Sequence, residues 1–420
     1  MFRIVSLLWL STIFGASLAF ITQIILARQL GSVEYGSFAA ALATVMLIAP
    51  LAGFGVGGFW LNIFGKEGWD ALQWVFPSLK FSLCSTCSVM TLIIMWAMLG
   101  IDNYLLIILS GCVFGQVAME TVSSFYQLEE NYFYLSLWQF LQHLLRLTGI
   151  SVIILTGFPL SSISVAYAYT LASLILLLFG LIPLGRMLRG DILLKGHKVA
   201  DTDRVFCRSV SHITVMDVFK HAWPFGFAGI FQFVYAQSDI ILVKHIVGNK
   251  AAGCYNVAFT MILFILLFPT VVYQKILLVK MHRWAYNDRL LFHKIYNKGN
   301  VILLATGVIA MIAIWLIAPI VIPVLFGSDY NDSIELMMIL SVSVPILFLA
   351  SNIGTKLVTK GYIKTKVKLM GLVAIINIAL NLILIPNYGA HGAAIATIIS
   401  NIILLFLYYT ASKDSYDEKV

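Results

Sequence analysis

The chain has 420 residues, of which 60% are hydrophobic and only 11% charged, and its mean hydropathy is +0.94. A soluble domain is about half apolar and a quarter charged, so this composition excludes an ordinary globular protein and requires lipid. The formal charge of +8 then has to be explained by where Lys and Arg fall along the chain, and it is no sign of nucleic acid.

A helix needs ~20 apolar residues to cross a hydrocarbon core ~30 Å thick. Such runs cover 5–27, 36–60, 75–99, 104–126, 134–156 and 162–184. After a break they cover 219–243, 251–274, 299–325, 333–354, 365–385 and 390–410. The expected fold is an all-α integral membrane protein of about 12 transmembrane helices. The first run is long enough to span and no small-residue cleavage site follows it, so no cleavable signal peptide is expected. With the N-terminus inside, Arg3, Lys66 and the basic residues of Arg186 to Lys220, Lys275 to Lys298, Lys356 to Lys368, Lys413 and Lys419 all fall on one face. The opposite connectors hold only Arg28, Lys244 and Lys250. The positive-inside rule makes the first face, and both termini, cytoplasmic. The longest connector, 185–218, is then a cytoplasmic linker touching anionic lipid. It divides the chain into an N-terminal six-helix half, 1–184, and a C-terminal six-helix half, 219–410, followed by a tail, 411–420.

The first two runs are joined by an elbow, "LARQLGSVEYGSFAAALA" (26–43), and a worn copy, "LVKHIVGNKAAGCYNVAF" (242–259), joins the first two runs of the second half. One offset carries Gly31 onto Gly248, Gly36 onto Gly253 and Phe38 onto Tyr255. Both elbows fall outside, so the halves point the same way across the membrane. Their pseudo-twofold axis is expected along the membrane normal, with substrate at the repeat interface. Local chemistry also accounts for the elbow. Gly31 accepts the left-handed conformation that ends a helix. Ser32 can cap the next one, and Arg28 lies near the last turn of the first helix, where a cation is favoured.

Charges inside the spans are few. One at the bilayer centre costs ~2.5–3.5 kcal/mol on insertion scales and must face a cavity or a partner. Gln139, His143 and Arg146 share one face of the fifth helix. Glu120 lies in the inner third of the fourth, and Asp239 in the outer third of the seventh. Two readings of Arg146 and His143 stay open: a structural pair, with Glu120 as a possible third member, or a cavity wall receiving an anionic headgroup. An Arg fork suits phosphate oxygens. For Asp239, a salt bridge with Lys244 stands beside an ion-coupling role, and Glu120 is the second candidate proton carrier. Lys80 lies about a turn inside the membrane, where a Lys can snorkel. Cys84 and Cys87 form C-x-x-C within a helix with no redox context, so a passive apolar role is expected. No metal cluster and no phosphate-binding loop is present, and no cofactor is expected.

The quoted stretches carry a resemblance. "ILARQLGSVEYGSFAAAL" resembles the first-to-second-helix signature of bacterial polysaccharide exporters, the O-antigen (Wzx-type) flippases of the multidrug/oligosaccharidyl-lipid/polysaccharide superfamily. "YNVAFTMILFILLFPTVVYQKIL" (255–277), "VLFGSDYNDS" (324–333) and "IPNYGAHGAAIATIIS" (385–400) resemble that family's eighth helix, the connector after its ninth, and the start of its twelfth. The resemblance implies two six-helix bundles around a central cavity in the bacterial inner membrane. It also implies movement of undecaprenyl-diphosphate-linked oligosaccharide by alternating access. The partners expected are that lipid-linked oligosaccharide, membrane lipids and other polysaccharide assembly proteins. The substrate-binding residues expected are Arg146, His143, Gln139, Arg28 and Lys80, with Asp239 and Glu120 coupling an ion. Two alternatives compete. A cation-coupled drug antiporter of the same superfamily would carry acidic rather than basic cavity residues. A membrane polysaccharide polymerase or ligase would carry a long external loop, and the expected external connectors are short.

Overall fold

A computed structural model describes residues 2–99, 103–194, 213–269, 289–359 and 363–417. Among them the protein is helical throughout, without a strand. In the first part of the chain the helices are α1 (Phe2–Ile48), α2 (Pro50–Gly53), α3 (Val56–Glu67), α4 (Val75–Leu99), α5 (Asn103–Ser110), α6 (Cys112–Leu128), α7 (Tyr132–Leu155) and α8 (Ser162–Leu188). After the linker come α9 (Val215–Ile246), α10 (Asn249–Pro269), α11 (Arg289–Phe326), α12 (Asp332–Ser341), α13 (Ser343–Thr359) and α14 (Ile363–Asp417). Each expected apolar run falls mainly on helix where the structure describes it, with breaks at Ala49, Phe54–Gly55, Gly111 and Val342. Residues 270–274, most of the 275–298 connector and most of the basic linker lie outside the described residues.

Among the described residues, nine helical stretches are long and apolar enough to cross a membrane. The first, Thr12–Met98, holds three of the expected runs, and the last, Thr365–Ser412, holds two. Kinked helices therefore read as one stretch. In α1 the break is Gly31, with φ 70° and ψ 171°; in α14 it is Gly389, with φ 58° and ψ −141°. Both are conformations that glycine reaches without a Cβ clash. Gly248, φ 123°, ends α9 in the same way, its N–H and that of Val247 both donating to the Val243 carbonyl. Elsewhere side chains close the ends. Ser161 and Ser164 form a capping box at α8, and the Asn131 carboxamide oxygen accepts from Tyr134 N–H at α7.

The chain divides into two compact units, Met1–Ala19 with Ala41–Phe233, and Phe20–Ala40 with Val234–Val420. Residues 26–40 of the first elbow thus belong to the second unit. In the first unit, Phe59, Trp60, Phe64 and Phe125 form an aromatic core that also buries Ile192 and Leu194 from the start of the linker. Glu129, 6% exposed, fixes that segment. Its Oε1 accepts from Arg186 at 3.1 Å and from Leu193 N–H at 3.4 Å, while Asp191 takes the other side of the Arg186 guanidinium at 3.1 Å.

In the second unit Tyr330 sits between helices and donates to the Ala27 carbonyl at 2.9 Å; burial pushes its phenol well above the ordinary value, so it stays a donor. Lys250 pairs with Asp332 at 3.4 Å. Helix contact here is close enough to test. A β-carbon on Gly307 would stand 2.5 Å from the Pro345 Cα, which no rotamer can relieve. Gly307→Ala is expected to cost about 1–3 kcal/mol, read as a lower thermal midpoint in detergent. An unchanged midpoint would mean α11 and α13 separate freely.

Candidate functional site

In the first unit, α7 carries Gln139, His143 and Arg146 on one face, all half-buried. The Arg146 guanidinium carbon stands 4.7 Å over the Tyr169 ring of α8, a cation–π contact of the kind that gains strength away from water. Its Nε is buried with no protein acceptor. His143 lies one turn earlier, its ring Cδ2 3.3 Å from the position a β-carbon on Gly15 would take. Glu120 turns elsewhere. Its Oε1 accepts from the Gly57 N–H at 3.2 Å; its carboxylate fills the space left by Gly53, and its Cγ lies against Gly57. Among the described residues no ion pair joins Glu120 to Arg146. Lys80 is exposed near the start of α4.

Arg28 lies in the second unit. It is exposed, and its guanidinium donates to the Val324 carbonyl at 3.4 Å, at the C-terminal turn of α11 where a cation complements the helix dipole. Of the seven candidates, Gln139, His143, Arg146, Lys80 and Glu120 belong to the first unit, and Arg28 and Asp239 to the second.

Asp239 is the best-built of them. It is 3% exposed on α9. Oδ2 accepts from Tyr255 at 2.7 Å and from Thr397 at 2.5 Å, and Oδ1 accepts from the Asn381 amide at 2.6 Å. Asn377 extends the network, its Oδ1 accepting from Asn381 at 3.0 Å and from Ser238 at 3.2 Å. Tyr235 donates to Asn401 beside it. The Asn381 Oδ1 and Asn377 Nδ2 atoms are buried without a protein partner, so the network retains polar capacity. Sequence reasoning named Asp239 but missed Tyr255, Asn377, Asn381 and Thr397. A readable signal existed, since Asn377 and Asn381 are spaced i, i+4 on one face of an otherwise apolar helix. An apolar cavity of about 260 Å³ in the same unit, lined by Met261, Ala310, Ile314 and Met337 among others, contains none of the candidate side chains.

These features define a multi-pass helical membrane protein with charged groups held inside its spans. Its fold is that of known transporters. Over 97% of this chain and 87% of the other it matches a structure of the lipid II flippase MurJ in an inward closed conformation, with TM-score 0.75 and 15% identity. Over 96% of both chains it matches an inward-facing multidrug resistance MATE family transporter of the MOP superfamily, with TM-score 0.71 and 16% identity. Another similar structure is a MOP superfamily transporter from Pyrococcus furiosus, with TM-score 0.63 and 15% identity over 98% of this chain and 95% of that one. The chain belongs to the polysaccharide biosynthesis protein family, whose model matches residues 2–274. A curated relative, the capsular polysaccharide biosynthesis protein CapF of Staphylococcus aureus, is 23% identical over 197 residues, 46% of this chain. The chain spans about half the length of that relative, 49%.

Proposed function

We propose that the protein translocates an undecaprenyl-diphosphate-linked oligosaccharide, an O-antigen-type repeat unit, across the bacterial inner membrane by alternating access. Arg146 carries the reading. An arginine inside a span, held over an aromatic face and with its Nε unmatched, is matched by an anionic headgroup. Carrying a diphosphate through hydrocarbon unaided would cost tens of kcal/mol by simple Born solvation, and a basic wet cavity removes most of that. Gln139 and His143 extend the same face toward sugar and phosphate, with Arg28 and Lys80 meeting the headgroup nearer the two surfaces. Asp239 and Glu120 couple an ion to the cycle. The halves 1–184 and 219–410 act as the moving repeats, with both termini, the linker and the tail cytoplasmic.

The direct test is the purified protein in vesicles loaded with a fluorescent lipid-linked oligosaccharide in one leaflet. Protein-dependent appearance in the other leaflet is expected, and none at all would end the reading. Topology is tested separately. Cysteines introduced at Val33 and Lys250, equivalent exposed positions of the two elbows, are both expected to react with a probe applied from outside, and reaction at only one would break the parallel-repeat arrangement. A cation-coupled drug antiporter is the second reading, favoured by the buried Asp239 carboxylate. It predicts gradient-driven efflux of small cations in the same vesicles.

A further inference from the structure

The two elbow copies meet reciprocally within the second unit. A β-carbon on Gly36 would stand 1.9 Å from the Asn249 carbonyl oxygen and 2.7 Å from Gly253 N. A β-carbon on Gly253 would stand 2.2 Å from the Ser32 carbonyl oxygen and 3.2 Å from Gly36 N. The offset that carries Gly36 onto Gly253 also carries Ser32 onto Asn249. The two contacts are therefore one contact seen twice, the signature of an isologous interface on a twofold axis. Two helical turns touch there backbone to backbone. Around them Tyr35 donates to Gln23 at 2.7 Å and accepts from Asn256 at 2.8 Å.

A second close backbone approach, not related by the repeat offset, lies within the first unit. A β-carbon on Gly55, φ 74°, would stand 2.3 Å from Gly226 N, and one on Gly226 would stand 3.0 Å from the Phe54 carbonyl oxygen. Phe54, at φ 42°, and Gly55 break the helix where this approach is made. The Lys and Arg distribution places Gly36 at the external end and Gly55 near the internal end of the same apolar run, 36–60.

We propose that these two glycine seams are the gates of the transport cycle, Gly36–Gly253 closing the external side and Gly55–Gly226 the internal side. At Gly36–Gly253 the close approaches are all to backbone atoms, whereas at Gly55–Gly226 the Phe54 ring and the Phe225 β-carbon also lie within 3 Å of the added positions; among the described residues neither crossing has an ion pair to break. One added methyl group has no room at either crossing, and at Gly36–Gly253 only backbone opposes it, so nothing can rotate away there. Such a methyl props its own seam open and shifts the cycle toward the face on which it sits. The proposal rests on the transporter reading, but the test below uses no substrate.

The reporter is Asn256→Cys, one turn inward of Gly253, in the full-length protein with its five native cysteines replaced by Ser. Labelling is by a membrane-impermeant maleimide from outside. Gly36→Ala and Gly253→Ala are each expected to raise the rate about tenfold, and Gly226→Ala is expected to leave it unchanged or lower it. No rise in the external variants, a rise in only one of them, or an equal rise in Gly226→Ala would overturn the proposal, the last because it signals general loosening. A second measurement covers failure of an alanine variant to insert. Ser32→Cys with Asn249→Cys, oxidised to a disulfide, is expected to arrest oligosaccharide translocation, and a reductant to restore it. Failure to cross-link, or equal translocation in both redox states, would overturn the seam. Absence of translocation in the reduced protein would instead count against the function.

Discussion

Replacing Arg146 with Ala is expected to lower translocation about ten- to a hundredfold while the protein still inserts in normal amounts. The magnitude follows from charge-assisted hydrogen bonds to phosphate, worth ~1.5–3 kcal/mol, at ~1.4 kcal/mol per tenfold. Arg146→Lys keeps the charge but loses the planar fork and most of the stacking on Tyr169, so it should recover only part of the rate. Tyr169, 2% exposed, supplies the control. Tyr169→Phe keeps a ring beneath the guanidinium and should change little. Tyr169→Leu removes the π face and should shift Arg146, with a loss approaching that of Arg146→Lys. Two measurements suffice, surface polysaccharide in a strain depending on this protein and the amount of protein in its membranes. Normal export from Arg146→Ala at normal amount would make the residue structural. A loss tracking a drop in protein would say the same.

Much of the fold can be read from the chain because lipid imposes a coarse rule that composition obeys. Each expected run lies mainly on helix where described, and Gly31, Gly248 and Gly389 mark breaks that a glycine at positive φ permits. The number of separate spans is harder to read. A kinked helix continues through its break, as α1 does at Gly31, and length alone cannot divide it. The candidate site is legible only in its charges. Arg146 and Asp239 stand out because an apolar run has few reasons to contain them. Of their partners, only Asn377 and Asn381 leave a signal, by their i, i+4 spacing. Tyr169 and Thr397 are neutral and come from other helices. Glu120 takes its hydrogen bond from a backbone N–H, which no sequence signal marks. Arg28 also stands out by its charge, and the chain does not mark its contact with the end of α11.

Replacing Asp239 with Asn is expected to uncouple the cycle rather than abolish it. In the folded protein both carboxylate oxygens accept, from Tyr255 and Thr397 on one side and Asn381 on the other. Three neutral donors leave the negative charge uncancelled, so the site attracts a cation or a proton whenever access permits. An ion moving through 100 mV supplies ~2.3 kcal/mol per charge, enough for about a fortyfold bias in the direction of transport. Asn in place of Asp keeps the shape but removes the charge, and it turns an amide N–H₂ toward one set of donors. The expected result in vesicles is a basal rate within a few-fold of the native protein, with the response to an imposed ion gradient lost. Thr397→Val removes one donor and leaves the charge, so the gradient response should weaken but persist. Glu120→Gln tests the other carboxylate by the same assay and, with Glu120 bound to the Gly57 backbone, should affect the amount of folded protein as well as coupling. Running proton and sodium gradients separately identifies the ion. If Asp239→Asn responds to both gradients as the native protein does, Asp239 holds α9 to α10 and α14 and carries no ion.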